Sequence, residues 1–197
     1  MITLTPKERE TVLILLKDYT TFYNANSISK VLKISHVGAQ KIFKRLLQEN
    51  LVLSKTIGKS ITYKLNFNDN YVSQLVAFLL ADEANNFKRW KEEFKELFKK
   101  DRIVMLFGSA IKDYAHAHDI DLMIVIKNKE VKEVNAILKK KEEILPKKLH
   151  AIKLTHQDLL ENLKKKDKAM IDIVKNAIVL YGQDKYVGIL KNTEKVF

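Results

Sequence analysis

Residues 115–122 read AHAHDIDL: two histidines alternating with alanine, then two aspartates alternating with isoleucine. Such a run can be a zinc site, a pair of catalytic carboxylates, or the polar mouth of a strand. Side chains two apart on a strand share a face, so Asp119 and Asp121 point the same way. If the strand already runs through them, His116 and His118 lie with Ile120 on the other face, and the four groups cannot converge. A zinc site needs three or four convergent ligands. This window supplies two histidines with no evident third, so no zinc is expected, and the histidines are placed at the rim.

The flanks give the window its context. IVMLF (103–107) is a continuous apolar run of strand length that stops at Gly108-Ser109. AIKDYAHAH follows as a short helix, and DIDLMIVI as a second strand with acids only at its start. Over FGSAIKDYAHAHDIDLMIVI the chain resembles the polymerase-beta-like nucleotidyltransferases, especially the minimal ones of archaea and bacteria. The resemblance extends more weakly to Tyr181-Gly182, read as the end of an apolar helix, and covers about residues 80–190.

It implies Asp119, Asp121 and Ser109 as catalytic residues, with Asp119 and Asp121 holding Mg²⁺ (or Mn²⁺) together with ATP or another nucleoside triphosphate. Mg²⁺ keeps several waters and takes its other ligands from phosphate oxygens. Two such ions clamp the attacking and leaving oxygens of an in-line displacement. Gly108 lets the backbone approach the phosphates, and the Ser109 hydroxyl and following amides receive them. Lys112, one turn on, adds a positive charge. Minimal members of the family can use a partner protein as acceptor, often a neighbouring toxin.

The chain departs from the family pattern in three places. Nine residues separate Ser109 from Asp119 where ten are usual, and Asp113 stands where a glycine is usual. The strand expected to carry a third carboxylate, KKLHAIKLT (147–155), has no acid. His150 stands nearest that position, with Lys153 further along. A histidine can serve as a base, but it does not supply the charge of a bridging carboxylate.

The N-terminal third has a different character. Residues 1–66 carry a net charge of +7 out of +12 for the whole chain, the asymmetry of a nucleic-acid-binding module. Thr5-Pro6 opens a helix with Val12, Leu13, Leu15, Leu16 and Tyr19 as its stripe. Asn26-Ser27 reads as a second cap, and Ser35 begins a third helix with Val37, Ile42, Phe43, Leu46 and Leu47 as its buried side. The runs LVLSKT and SITYKLN follow, joined by Ile57-Gly58-Lys59. ISKVLKISHVGAQKIFKRLLQENLV resembles the recognition half of a winged helix-turn-helix, which implies double-stranded DNA as partner. His36, Gln40, Lys41, Lys44 and Arg45 on the third helix, and Lys55, Lys59 and Ser60 on the wing, are the expected contacts. Gln40 reads a base edge, and the basic groups neutralise phosphate.

Between the two, a helical pattern without Pro or Gly runs from Asp69 to about Lys99. Leu75, Leu79, Phe87, Trp90, Phe94, Leu97 and Phe98 form an apolar face rich enough for a homodimer. The expected architecture is mixed α and β. A winged helix-turn-helix spans 1–66, a connecting helix 67–100, and a small mixed-sheet nucleotidyltransferase-like domain 101–197. The chain has no cysteine, no signal-peptide pattern and no apolar run of the ~20 residues that span a bilayer. A cytoplasmic protein without membrane contact is expected. Its function reads as DNA-binding regulation with a nucleotide-binding transferase fold. The alternatives are an active nucleotidyltransferase with a protein or nucleic-acid acceptor, and a purely structural dimerisation domain.

Overall fold

The computed structural model describes residues 3–193, so residues 1–2 and 194–197 of the expected first and last domains lie outside the described residues. The described chain forms two units, one up to Leu79 and one from Leu80 to Thr193.

In the first unit α1 (Pro6–Lys17), α2 (Ala25–Leu32) and α3 (His36–Gln48) precede a hairpin of β1 (Val52–Ile57) and β2 (Ser60–Leu65). Thr5 accepts from the Glu8 amide and Glu8 accepts from the Thr5 amide, a reciprocal cap beside Pro6. Such caps are worth about 1 kcal/mol. The second cap falls at Asn24, reciprocated by Ser27, and not at Asn26-Ser27. Asn24 has the extended backbone that a cap requires, whereas residues 26 and 27 are already helical. Val12, Leu15, Leu16, Ile28, Leu32, Phe43 and Leu46 close the core, with Phe43 stacked on Tyr63.

The buried side of α3 is narrower than expected: Ala39, Phe43 and Leu46 are buried, while Val37 is 58% exposed and Leu47 is also exposed. Five apolar residues overfill the stripe that a helix of this length can press against α1 and α2. Val37 lies about one turn before Gln40 and Lys41, on the solvent side.

The connecting segment is helical but in three pieces. α4 (Asn70–Asn85) ends at Asn85-Asn86, α5 (Lys88–Glu93) follows, and a 3₁₀ turn spans Lys95–Leu97. The Phe87 amide donates to the Ala84 carbonyl, tightening the exit, and the Asn85 side chain accepts from Lys91. Asparagines compete for local backbone bonds and favour such breaks. The break lets Trp90, Phe94 and Leu97 turn into the core of the second unit.

That unit is a four-stranded sheet in the order β5-β4-β3-β6. β3 (Ile103–Phe107) and β4 (Asp119–Val125) are antiparallel, and α6 (Val131–Ile144) leads to β5 (Lys148–Leu154), which runs parallel to β4. α7 (His156–Lys164) and α8 (Lys168–Asn176) precede β6 (Ile178–Tyr181), and α9 (Gln183–Lys191) follows it. Val104, Leu106, Ile120, Leu122 and Ile124 join Trp90, Phe94, Val134 and Leu138 on one face. By alternation, Met105, Met123 and Val125 face the other way.

The apolar run before Tyr181-Gly182, expected as a helix, is strand β6. Four residues with two β-branched side chains fit a short strand, and periodicity alone does not separate the two readings. Gly182 has φ +80°, and a Cβ there would lie 2.2 Å from the Arg102 carbonyl oxygen. Arg102 is itself buried and paired with Glu130 (2.9 Å) and Glu133 (3.0 Å). Gly182→Ala should therefore lower stability by about 2 kcal/mol or more through strain and overlap. Urea unfolding of the two proteins, compared at equal m-value, checks this.

Candidate functional site

β4 is where the fold brings chemistry to the surface. Its side chains alternate, so Ile120, Leu122 and Ile124 enter the core while Asp119 and Asp121 emerge together on the opposite face. Further along that face Met123 and Val125 are buried, which confines the polar part to the first turn of the strand. The strand starts at Asp119, and His116 and His118 precede it on the loop.

Parallel register with β5 places Lys148 opposite Asp119 and His150 opposite Asp121. Lys148 and His150 thus project on the face of the aspartates. His150 Nδ1 lies 3.0 Å from Asp119 Oδ2 and 3.7 Å from Asp121 Oδ1. One ligand atom from each of Asp119, Asp121 and His150 falls within 4.8 Å of the others. The third position, where the resemblance implies a carboxylate, is occupied by an imidazole.

The aspartates are held closely. Phe107 pairs with Asp121 across β3 and β4, and the chain then turns at Gly108 with φ +79°. A Cβ on Gly108 would lie 2.0 Å from Asp121 Oδ2. Gly108 therefore makes room for the Asp121 carboxylate, a role nearer than the expected one of admitting phosphate. Burial and then the neighbouring Asp119 charge push the Asp121 carboxyl above the usual carboxylate range, with His150 opposing. A cation among these groups would relieve both penalties. The donor set of two carboxylates and one imidazole, cradled by a residue without a side chain, fits a divalent ion.

The loop beyond Gly108 differs from expectation. Ser109 starts a single 3₁₀ turn ending at Ile111, so the short helix expected to present its amides is only one turn long. Beyond it the Asp113 carboxylate accepts from the His116 amide (3.3 Å) and meets His116 Nδ1 at 2.6 Å, a local side-chain bond that caps the next turn of the loop. That bond with His116 also holds the Asp113 carboxyl below its ordinary range. His116 is thereby paired with Asp113 and is not among the groups that converge with the aspartates. Lys147 donates to the carbonyls of Ala115 and Ala117, and Tyr114 packs edge-on against Trp90, so the later half of the loop is tied down. Ser109, Lys112 and His118 are exposed.

The residues expected to face DNA divide. His36, Gln40, Lys41 and Lys44 are exposed on α3, and Lys55, Lys59 and Ser60 are exposed on the hairpin. Arg45 is drawn inward: it pairs with the buried Glu8 carboxylate at 3.1 Å and donates to the Thr3 carbonyl at 2.6 Å. Its partner is 37 residues away in sequence, so α3 alone did not reveal it. Lys148 was also missed, although alternation along KLHAIKL groups it with His150.

Residues 92–186 match the family described as polymerase beta, nucleotidyltransferase. This part of the chain therefore has a nucleotidyltransferase-type fold, and the whole is a mixed α and β protein. No curated protein matches the sequence. Two solved structures of variants of ZitR from Lactococcus lactis align with it. One has a TM-score of 0.38 and 13% identity over 72% of this chain and 75% of that one. The other has a TM-score of 0.35 and 15% identity over 73% and 76%. At those scores neither alignment bears on function. Among the described residues no helix is long and apolar enough to cross a membrane.

Gly108→Ala should abolish divalent-ion binding at this site while leaving the chain folded, because the added methyl displaces the Asp121 carboxylate. Calorimetric titration with Mn²⁺, beside a circular dichroism melt, checks both halves; unchanged ion affinity would contradict the packing argument.

Proposed function

We propose that this protein binds double-stranded DNA through its first unit and a nucleoside triphosphate with a divalent cation through its second, acting as a DNA-binding regulatory protein. The observation that carries the second half is the convergence of Asp119, Asp121 and His150 beside Gly108 on a nucleotidyltransferase-type sheet. Asp119 and Asp121 hold the cation, and Gly108 keeps the carboxylates in place. Ser109 and Lys112, exposed at the rim, meet the β- and γ-phosphates. A bound ion supplies the positive charge that carboxylates need before they can face a triphosphate.

The first half rests on the exposed row His36, Gln40, Lys41 and Lys44 on α3, with Lys55, Lys59 and Ser60 on the hairpin, in the order of a winged helix-turn-helix. Exposed Val37 adds an apolar contact of the kind that meets a thymine methyl. Arg45 supports α3 through Glu8 and does not count among the phosphate contacts. The protein acts as a homodimer in the cytoplasm on this reading, since paired recognition helices match two-fold operators.

A second reading is favoured by the intact Gly108-Ser109 and the aspartate pair. It is an active enzyme in which an acceptor oxygen displaces pyrophosphate from the α-phosphorus. Labelled α-phosphate nucleotides, offered with cell extract and bulk nucleic acid, separate the two. Label transferred by the natural protein but not by Asp119→Asn/Asp121→Asn establishes the enzyme. Metal-dependent nucleotide binding without transfer establishes the regulator.

Asp121→Asn should weaken metal-dependent nucleotide binding by at least about tenfold, since even the outer partners of metal ligands are worth that much. Equilibrium dialysis reads it. Lys44→Ala should weaken DNA binding alike on all sequences and reduce the log–log salt slope by about 1. Loss on one operator alone would contradict a phosphate role.

A further inference from the structure

We infer that His150 is a direct metal ligand and turns this site from Mg²⁺ toward a first-row transition ion, with Mn²⁺ as the ion that also suits a nucleotide. The inference rests on the metal site proposed above and adds the identity of its third ligand and its selectivity.

Three observations carry it. Register fixes His150 opposite Asp121 on the adjoining parallel strand, so its ring emerges on the face of both aspartates without any rearrangement. The distance from Nδ1 to Asp119 Oδ2, 3.0 Å, matches the ~3.0 Å edge between neighbouring ligands around a six-coordinate ion with bonds of about 2.1 Å. The spacing to Asp121 Oδ1, 3.7 Å, needs only a small closure around an ion. Finally, β5 offers nothing else: along its exposed face stand Lys148, His150 and Ile152, with no oxygen ligand among them.

The chemistry of that donor set decides the ion. Mg²⁺ is hard, demands oxygen ligands and gives up water reluctantly. Replacing a carboxylate by a neutral imidazole removes one negative charge and puts nitrogen where Mg²⁺ wants oxygen. Imidazole suits the first-row transition ions better than it suits Mg²⁺, and their affinities follow the order Mn²⁺ < Fe²⁺ < Co²⁺ < Ni²⁺ < Cu²⁺ > Zn²⁺, so Mn²⁺ is the one of that row nearest to Mg²⁺ in its liking for carboxylate and water oxygens. Mn²⁺ accepts nitrogen and still tolerates the carboxylate and phosphate oxygens that complete its shell. Two carboxylates and one imidazole also leave three positions of an octahedron for a triphosphate or water. The competing role for His150 is a plain ion pair with Asp119, in which the ring carries a proton and an ion would have to displace it. The two roles predict opposite effects of removing the ring: loss of Mn²⁺ affinity for a ligand, no loss for an ion-pair partner.

The test titrates Mn²⁺ and Mg²⁺ separately into the full chain without nucleotide. Free Mn²⁺ is read by electron paramagnetic resonance, and Mg²⁺ by its competition against Mn²⁺. The proteins are the natural chain, His150→Ala, His150→Asp and Asp119→Asn/Asp121→Asn. Because the His150 side chain is 61% exposed, its substitutions should leave the fold standing, and melting curves check that they do. The natural chain should prefer Mn²⁺, and the spin-echo modulation of the bound ion should report a histidine nitrogen. His150→Ala should lose that nitrogen and at least about tenfold in Mn²⁺ affinity, with little change toward Mg²⁺. His150→Asp should bind Mg²⁺ more tightly and lose the preference. Mn²⁺ affinity unmoved by His150→Ala overturns the inference while the aspartate site stands. Binding that survives Asp119→Asn/Asp121→Asn overturns the site itself, and the inference with it.

Discussion

The second unit depends on how one strand divides its side chains. β4 is an inner strand, paired with β3 on one side and β5 on the other, and its alternation separates a row of isoleucine and leucine from a row that begins with two aspartates. The apolar row fixes the register, because a one-residue slip would carry Asp119 and Asp121 into the core and Ile120 into water. Placing two like charges side by side is thus enforced by burial on the far side of the same strand. Gly108 completes the constraint, since only a residue without a Cβ can face the Asp121 carboxylate at that distance.

How much of this was legible in the sequence varies with the range of the interaction. β3 and β4 could be read directly: continuous apolar runs bounded by Gly108 and by the aspartates leave little choice. The Thr5 and Ser35 caps and the Gly58 turn were equally local. Where the reading went astray, a distant partner or a competing local bond had decided the matter. Arg45 keeps its place in the basic row by spacing and also pairs with Glu8 across the fold, a contact that no local pattern shows. Val37 and Leu47 obey helical periodicity and find no core to enter. Asn85-Asn86 ends a helix whose apolar pattern continues across the break, since Ala84 before it and Trp90 and Phe94 after it enter one core.

The candidate site shows the same divide. Asp119 and Asp121 were evident from two-residue spacing. The place of His150 beside them was not, because parallel pairing runs through α6 and its register has no local signature. What the sequence did show was an absence, a strand without an acid, and its meaning became clear only once register placed the ring. The loop at Asp113 is intermediate. The sequence marked it as unusual, and the structure adds that its carboxylate binds His116, beyond a single 3₁₀ turn at Ser109–Ile111.

β5 is one of the two edge strands of the sheet and pairs only with β4, joined to it through the long detour of α6. Edge strands are the parts of a sheet that open first, and parallel pairings of large sequence separation form late. An ion held by Asp119, Asp121 and His150, as proposed above, would span the seam between the inner strand and this edge and act as a rivet across it. On that proposal, occupancy of the site would couple a small ion's concentration to the firmness of one side of the sheet.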